Sequence, residues 1–434
     1  MSIRTFVDAA GRRIDALHGM VVMRGDEVVA EGYWHPYRKD EPHRLFSLSK
    51  SFTSTAVGFA VAEGLVDLDE PVASYFGGRG DPRMLVRHLL TMTTGHVDDT
   101  APKMPHAGDW AGVFLDLPVP REPGTHFMYN TGATYVAGAI VQRATGRRLV
   151  DYLRPRLFDP LGFGEVTWEQ CPDGFDVAGW GMTARTSEIA RFGRLYLHDE
   201  HGILPAGWAA QATAKQVDNA YAGQTPDWQQ GYGFQFWRCR HNAYRGDGAF
   251  GQFCVVVPDH DLVLALNAGT GDLQAVLDLV WEHLLDDLEP TALPALAMPA
   301  VAATTTNADR DGTYVVQRPR VSRPEDWRPS HERPPTIRSI TFAAGRVTVE
   351  DETGTHEHDC RPGEWHRDGR TAGTGGWTGP DEYTFKVAYT DGPFVRTYRC
   401  RFSADAVRID ASDNVSFGPT GYAPILASAV AHRL

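Results

Sequence analysis

The spacing of apolar residues changes twice along the chain and divides it into stretches of different character. Near the start, "GMVVMRGDEVVAEGYW" reads as two apolar strands joined through Gly25-Asp26, a hairpin from Met20 to Trp34. In "SKSFTSTAVGFAVAEG" the positions of Phe52, Val57, Ala60 and Val61 follow a helical period, and Gly64 closes the helix. From 83 to 290 helical patterns dominate: "MLVRHLLTMTTG", "GATYVAGAIVQRATG" and "TSEIARFGRLYLHDE". Two strands follow in "FGQFCVVVPDHDLVLALNAG", turning at Pro258-Asp259, and "DLQAVLDLVWEHLLDDL" predicts a closing amphipathic helix. Early strands, a helical middle and late strands with a helix predict an α+β fold with one antiparallel sheet flanked by helices.

At 289 the pattern breaks into "EPTALPALAMPAVAATTTNADRDG", rich in Pro, Ala and Thr, as expected of a linker. Beyond it the period becomes two. Tyr383, Phe385, Val387 and Tyr389 alternate, "TDGP" turns the chain, and Phe394, Tyr398, Cys400 and Phe402 share one face. Ile340, Phe342, Val347 and Val349 form a second strand pair around Ala344-Gly345. The expected division is a first domain at 1–290, a linker at 291–310 and an all-β barrel or sandwich at 311–434.

Composition narrows the function. With 42% hydrophobic residues among 434, the chain can bury a sizeable core. A net charge of −13 argues against nucleic-acid or anionic-membrane partners. "MSIRTFVDAAGRRIDALHGM" lacks the apolar run and cleavage site of a signal peptide, and no stretch predicts a membrane span. Cys171, Cys239, Cys254, Cys360 and Cys400 are scattered without a CxxC pair, which suits free thiols in a reducing compartment. A cytoplasmic location is expected.

The candidate chemistry lies in "SLSK". Lysine in a first helical turn meets the positive end of the helix dipole, an unfavourable place for a merely solvated cation. Residues i and i+3 share a helix face and side chains lean toward the N-terminus, so Lys50 reaches back to Ser47. A lysine whose pKa is lowered by burial can take the proton of a serine hydroxyl, and a helix N-terminus offers N–H groups to a developing oxyanion. Downstream lie "PGTHFMYNTGATYVAGAI", with Tyr129 just before a helix, and "YRGDGAFGQFCVVVPDHDLVLAL", a glycine-rich turn entering a strand.

Ser and Lys at a helix start, a Tyr in a loop and a Gly-rich edge strand, in that order, resemble the serine β-lactamase and penicillin-binding-protein superfamily. "VRHLLTMTTGH", "PGTHFMYNTGATYVAGAIVQRATG" and "RPRLFDPLGF" strengthen the resemblance, which covers about residues 10 to 290 and is nearest to class C-like serine hydrolases. It implies an antiparallel sheet packed by helices with an all-helical subdomain. It also implies Ser47 as nucleophile, Lys50 as general base and Tyr129 as proton shuttle. The N–H groups of Ser47 and of the strand near Ala249 would form the oxyanion hole. The trailing β domain resembles the lipocalin-like domains of some relatives.

Two positions depart from the family pattern. Asn130 follows Tyr129 directly instead of standing one place later, so it is a candidate substrate contact or a turn residue. Gly246-Asp247-Gly248 stands where the family carries a cation, Lys or His, that pairs with a substrate carboxylate. Asp247, Gly248 and Ala249 are therefore candidate substrate contacts for a neutral or cationic ligand, or a bulky ester or amide, with Asp247 alternatively a turn residue. His356 and His358 would share a strand face, but no third ligand stands near them, so neither a metal nor a cofactor is expected. The expected function is a serine hydrolase cleaving a small-molecule or peptide ester or amide through an acyl-enzyme. An acyl transferase or peptide cyclase of the same fold, or a sensor that does not turn over, are the alternatives. Nothing in the sequence speaks to oligomeric state.

Overall fold

Six consecutive buried residues, Gln252–Val257, and seven more, Leu262–Ala268, form the middle of the first sheet. Strands this uniformly apolar must be covered on both faces. The computed structural model, which describes all residues except 1, 105–107, 200–201, 221–223, 287, 308–309, 318–334 and 430–434, shows that cover. The seven strands run in the order Trp237–Arg238, Tyr244–Gly248, Gln252–Val257, Leu262–Ala268, Leu17–Arg24, Glu27–His35 and Leu296–Ala297. All pairings are antiparallel except the last.

The pleat sends alternate side chains into two cores. Met20, Val22, Phe253, Val255, Leu264 and Leu266 face the helices Ile3–Arg13 and Leu273–His283, which pack on each other. Val21, Met23, Cys254, Val256, Val263 and Ala265 face the helix Thr186–Leu197 and the larger helical layer beyond it. The first helix was not foreseen from the apolar pattern; its start is set by Ser2, whose side chain accepts from the Thr5 N–H.

The helix Ser49–Ala62 is enclosed by this helical layer, and every side chain from Ser49 to Ala60 is buried. Phe52 stacks on Phe192 with centroids 4.0 Å apart. Most polar side chains of a helix buried on all sides find partners within the protein. Ser51 Oγ donates to the Gln235 carbonyl at 2.9 Å, Thr53 Oγ1 donates to Ala178 O at 2.9 Å, and Ser49 Oγ accepts from Met182 N at 3.2 Å. These bonds fix the helix along its axis as well as against its neighbours.

The period-two stretch is a ten-stranded antiparallel sheet curled into a nearly closed barrel, not a sandwich. Its interior is filled by side chains, among them Tyr314, Phe342, Tyr383, Phe385, Tyr398 and Phe402. Phe394, expected to continue the interior face, lies just before the strand Val395–Phe402 and turns away from the barrel toward the first sheet.

The Pro/Ala-rich stretch expected as a linker is hydrogen-bonded at both ends. Thr291 N donates to Val29 O at 2.7 Å and Met298 N to His35 O at 2.9 Å; Thr304 N then donates to Trp377 O of the barrel at 2.8 Å. Direct contacts join the two parts as well. Arg44 N donates to Asp391 O at 2.8 Å, the Tyr37 hydroxyl donates to Gly392 O at 3.0 Å, and Asn414 Nδ2 donates to Gly269 O at 3.0 Å.

Candidate active site

Ser47 sits in a single 3-10 turn, Phe46–Leu48, that leads into the helix Ser49–Ala62. Phe46 enters that turn with φ at 48°, a left-handed conformation that costs a bulky residue about 1–3 kcal/mol and persists where surrounding structure enforces it. Ser47 remains partly exposed while Lys50, one helical turn on, is 1% exposed. Lys50 Nζ lies 3.0 Å from Ser47 Oγ and donates to the Gly179 carbonyl at 2.8 Å. Burial pulls the lysine down from 10.5 to about 7, against the opposing pull of the Asp99 and Asp247 carboxylates.

Tyr129 completes the group from the loop before the helix Thr131–Thr145. Its hydroxyl lies beside Ser47, which draws the phenol pKa down, and Lys50 Nζ stands 5.0 Å from its ring centroid. The ring stacks on Trp237 at 5.3 Å and 18°. Burial raises the phenol well above its ordinary value, and the Asp247 charge adds to the rise. At neutral pH the phenol therefore keeps its proton while a large fraction of the lysine has lost its own. Of the two groups beside Ser47, the lysine is the one able to accept.

Asn130, a candidate substrate contact or turn residue, stands directly before that helix. It is fully buried and caps the helix Thr131–Thr145: its Oδ1 accepts from Thr100 Oγ1 at 2.8 Å, Thr100 N at 3.1 Å and Ala133 N at 3.4 Å. Directly before a helix, an asparagine carbonyl satisfies N–H groups that have no intrahelical acceptor.

Asp247 is only 8% exposed and is not free for a cationic ligand, because it accepts from Arg245 Nε at 2.8 Å. Arg245 itself is fully buried, with its guanidinium 4.1 Å from the Trp228 ring centroid and Nη1 donating to Asp227 O at 2.8 Å. Its Nε and Nη1 are thus engaged by groups of the protein itself. Removing one partner of such a pair strands the other charge, so Asp247→Asn should lower unfolding stability by about 3–5 kcal/mol. A chemical-denaturation midpoint equal to that of the wild type would show that the pair carries no such weight.

The missing cation has a steric counterpart. A Cβ at Gly246 would stand 2.5 Å from both Leu48 Cδ1 and Ser51 Oγ, and one at Gly248 would stand 2.0 Å from Leu45 O. The strand Tyr244–Gly248 is pressed against the start of the Ser47 helix, and a Lys or His at 246 would require the Leu48 and Ser51 side chains to shift. Ala249 follows in a partly exposed turn, its carbonyl accepting from Gln252 Nε2 at 3.2 Å.

Three groups at the site escaped the sequence reading: the Gly179 carbonyl, Trp237 and Asp99. Asp99 is half-buried, its Oδ1 accepting from Thr131 N at 2.8 Å and Ala101 N at 3.1 Å. Its spacing in "DDTA", just before a short turn, is the one local signal among the three. His356 bonds Thr353 Oγ1 at 2.8 Å within its own hairpin, and among the described residues no group of three or more His, Cys, Asp or Glu is placed to hold a metal.

A family model described as Beta-lactamase matches residues 7–283, well over half of the chain. The chain belongs to the beta-lactamase family. Among its relatives, 6-aminohexanoate-dimer hydrolase of Paenarthrobacter ureafaciens is 29% identical over 279 residues, covering 56% of this chain and 70% of that protein. Monacolin J acid methylbutanoyltransferase of Aspergillus terreus is 31% identical over 170 residues, 32% of this chain and 41% of the transferase. The octameric penicillin-binding protein homologue from Pyrococcus abyssi superposes with a TM-score of 0.53 at 14% identity, over 99% of this chain and all of the other. That likeness is one of fold and runs through the barrel. This beta-lactamase family member is thus an enzyme of the serine-hydrolase type, with relatives named as hydrolases and acyltransferases. No helix among the described residues is long and apolar enough to cross a membrane.

Proposed function

We propose that the protein hydrolyses an ester or amide through an acyl-enzyme on Ser47. The observation that carries this reading is the buried Lys50 Nζ at 3.0 Å from Ser47 Oγ, with its pKa drawn down to about 7. Ser47 Oγ attacks the substrate carbonyl carbon and its proton passes to Lys50. The oxyanion is held by the N–H groups of Ser47 and Ala249. As the intermediate collapses, the leaving oxygen or nitrogen takes the Tyr129 hydroxyl proton, which Lys50 replaces. Water, activated by the same neutral lysine, then releases the acyl group and restores Ser47.

Acyl transfer shares every step up to the acyl-enzyme and differs in the acceptor. The 31% identical methylbutanoyltransferase is the specific observation that favours it as a second reading. Adding an amine or alcohol acceptor to a turnover assay separates the two, since transfer yields a new amide or ester and hydrolysis only free acid.

The substrate should lack a carboxylate beside the scissile bond. A charge-assisted hydrogen bond to such a group is worth roughly 1.5–3 kcal/mol, or one to two powers of ten in binding. With Gly246 in place of the cation and Arg245 held by Asp247, short-chain p-nitrophenyl esters should be hydrolysed while benzylpenicillin acylates Ser47 at least tenfold more slowly. Parallel assays of both substrates on wild type and Ser47→Ala test this. Equal turnover of penicillin and ester would overturn the substrate reading, and undiminished ester turnover in Ser47→Ala would overturn the nucleophile.

A further inference from the structure

Four phenylalanines, two from each part of the chain, cluster around Phe46, the residue before Ser47. Phe46 is the residue before Ser47 and Phe250 the residue after Ala249, so the two flank the N–H groups assigned to the oxyanion. Their rings meet edge to face at 5.6 Å and 87°. The barrel supplies Phe394, 5.6 Å from Phe250 and 6.2 Å from Phe46, and Phe417, 4.7 Å from Phe250 and 5.9 Å from Phe46.

Exposure within the cluster is uneven. Phe394 is 1% exposed and Phe417 is 61% exposed. The junction is already held by the Arg44–Asp391, Tyr37–Gly392 and Asn414–Gly269 bonds, so docking does not account for an open aromatic face. Asn414, three residues before Phe417, donates to Gly269 O and to Pro393 O, both at 3.0 Å, and so anchors the segment that presents the ring. On the other side, Phe46 and Phe250 both hold left-handed backbone, φ 48° and 66°, to bring their rings together.

The cluster also has a side. Tyr129, which protonates the leaving group in the mechanism above, has Trp237 and Tyr232 as its ring neighbours. The partners of Phe46 and Phe250 are a different set, drawn from the barrel. A substrate on Ser47 whose leaving group meets Tyr129 leaves its acyl chain the other ring set, that of Phe46 and Phe250. We propose that Phe46, Phe250, Phe394 and Phe417 form the acyl-binding wall, with Phe417 as its barrel-borne, specificity-determining face, and that the enzyme prefers esters or amides of uncharged aryl- or branched-alkyl carboxylic acids. This rests on Ser47 as the nucleophile.

The test compares p-nitrophenyl phenylacetate with p-nitrophenyl acetate on wild type, Phe417→Ala and Phe417→Leu. Wild type should favour the phenylacetyl ester in kcat/KM. In Phe417→Ala the phenylacetyl-to-acetyl ratio should fall about tenfold, the scale of one lost aromatic contact; Phe417→Leu should recover part of it. A set of acetyl esters with different leaving groups should show no matching change in rank. An unchanged acyl ratio in Phe417→Ala, or a shift that follows the leaving group instead, would overturn the proposal. Labelling by a small methyl fluorophosphonate keeps the two claims apart. If Ser47 takes the label while the ratio stays fixed, the acyl wall fails alone; if Ser47 takes none even in wild type, the nucleophile fails first.

Discussion

Ser47→Ala should cut kcat for p-nitrophenyl acetate by on the order of 10⁴-fold or more, with the residue left over coming from the oxyanion site and binding. The expectation is this large because covalent catalysis leaves no lesser route: without the hydroxyl there is no acyl-enzyme, and Lys50 and Tyr129 have nothing to activate. Neither Ser49 nor Ser51 can substitute. Both are fully buried or nearly so, Ser49 Oγ accepting from Met182 N and Ser51 Oγ donating to Gln235 O. Thermal melting should show Ser47→Ala folded as wild type, since the serine is partly exposed at the surface of the helical layer. Steady-state kinetics on a sample free of wild-type carry-over checks the figure.

Lys50→Met should lose about 10²–10⁴-fold in kcat/KM, the usual contribution of a general base. The pH profile carries the sharper statement. Only the neutral amine accepts a proton, so wild-type kcat/KM should rise with pH through about 7, where Lys50 is drawn by burial. In Lys50→Met that limb should vanish. Stability should move the other way. Between about 7 and 10.5 the unfolded chain binds a proton at Lys50 that the folded protein does not, so burial of this amine costs stability progressively as pH falls through that window. Methionine removes that cost, and Lys50→Met should therefore melt no lower than wild type at pH 7. A variant that is both inactive and unfolded would attribute the loss to structure instead of base catalysis.

How much of this was visible in the sequence depended on distance along the chain. Ser47 and Lys50 are three residues apart, and helix geometry alone brings them together. Arg245 and Asp247 could have been paired on the same footing, because residues two apart share a strand face; the glycines around Asp247 drew attention to a turn instead. Asn130 was read as a substrate contact or a turn residue, and its position directly before a helix gives it the capping bond. Gly179 and Trp237 meet Lys50 and Tyr129 across more than a hundred residues, and no local pattern marks them. The barrel was legible from its alternation, since Tyr383, Phe385 and Val387 do line its interior. Phe394 and Phe417 were not, because they leave the barrel near the ends of strands, where alternation no longer constrains direction.

The Pro- and Ala-rich composition after 289 gave no sign of the short strand Leu296–Ala297 or of the bonds that attach the stretch. Backbone donors there still need acceptors, and Thr291, Met298 and Thr304 find theirs on the edges of the two sheets. The barrel is thereby held where two of its phenylalanines meet Phe46 and Phe250.

The most direct measurement of the central claim is intact-mass and peptide-mapping mass spectrometry after treatment with a fluorophosphonate probe. One adduct per chain is expected, on the peptide containing Ser47, lost in Ser47→Ala and formed much more slowly in Lys50→Met at pH 7. No adduct on folded wild-type protein, or an adduct that maps to Ser49, Ser51 or any residue other than Ser47, would contradict it.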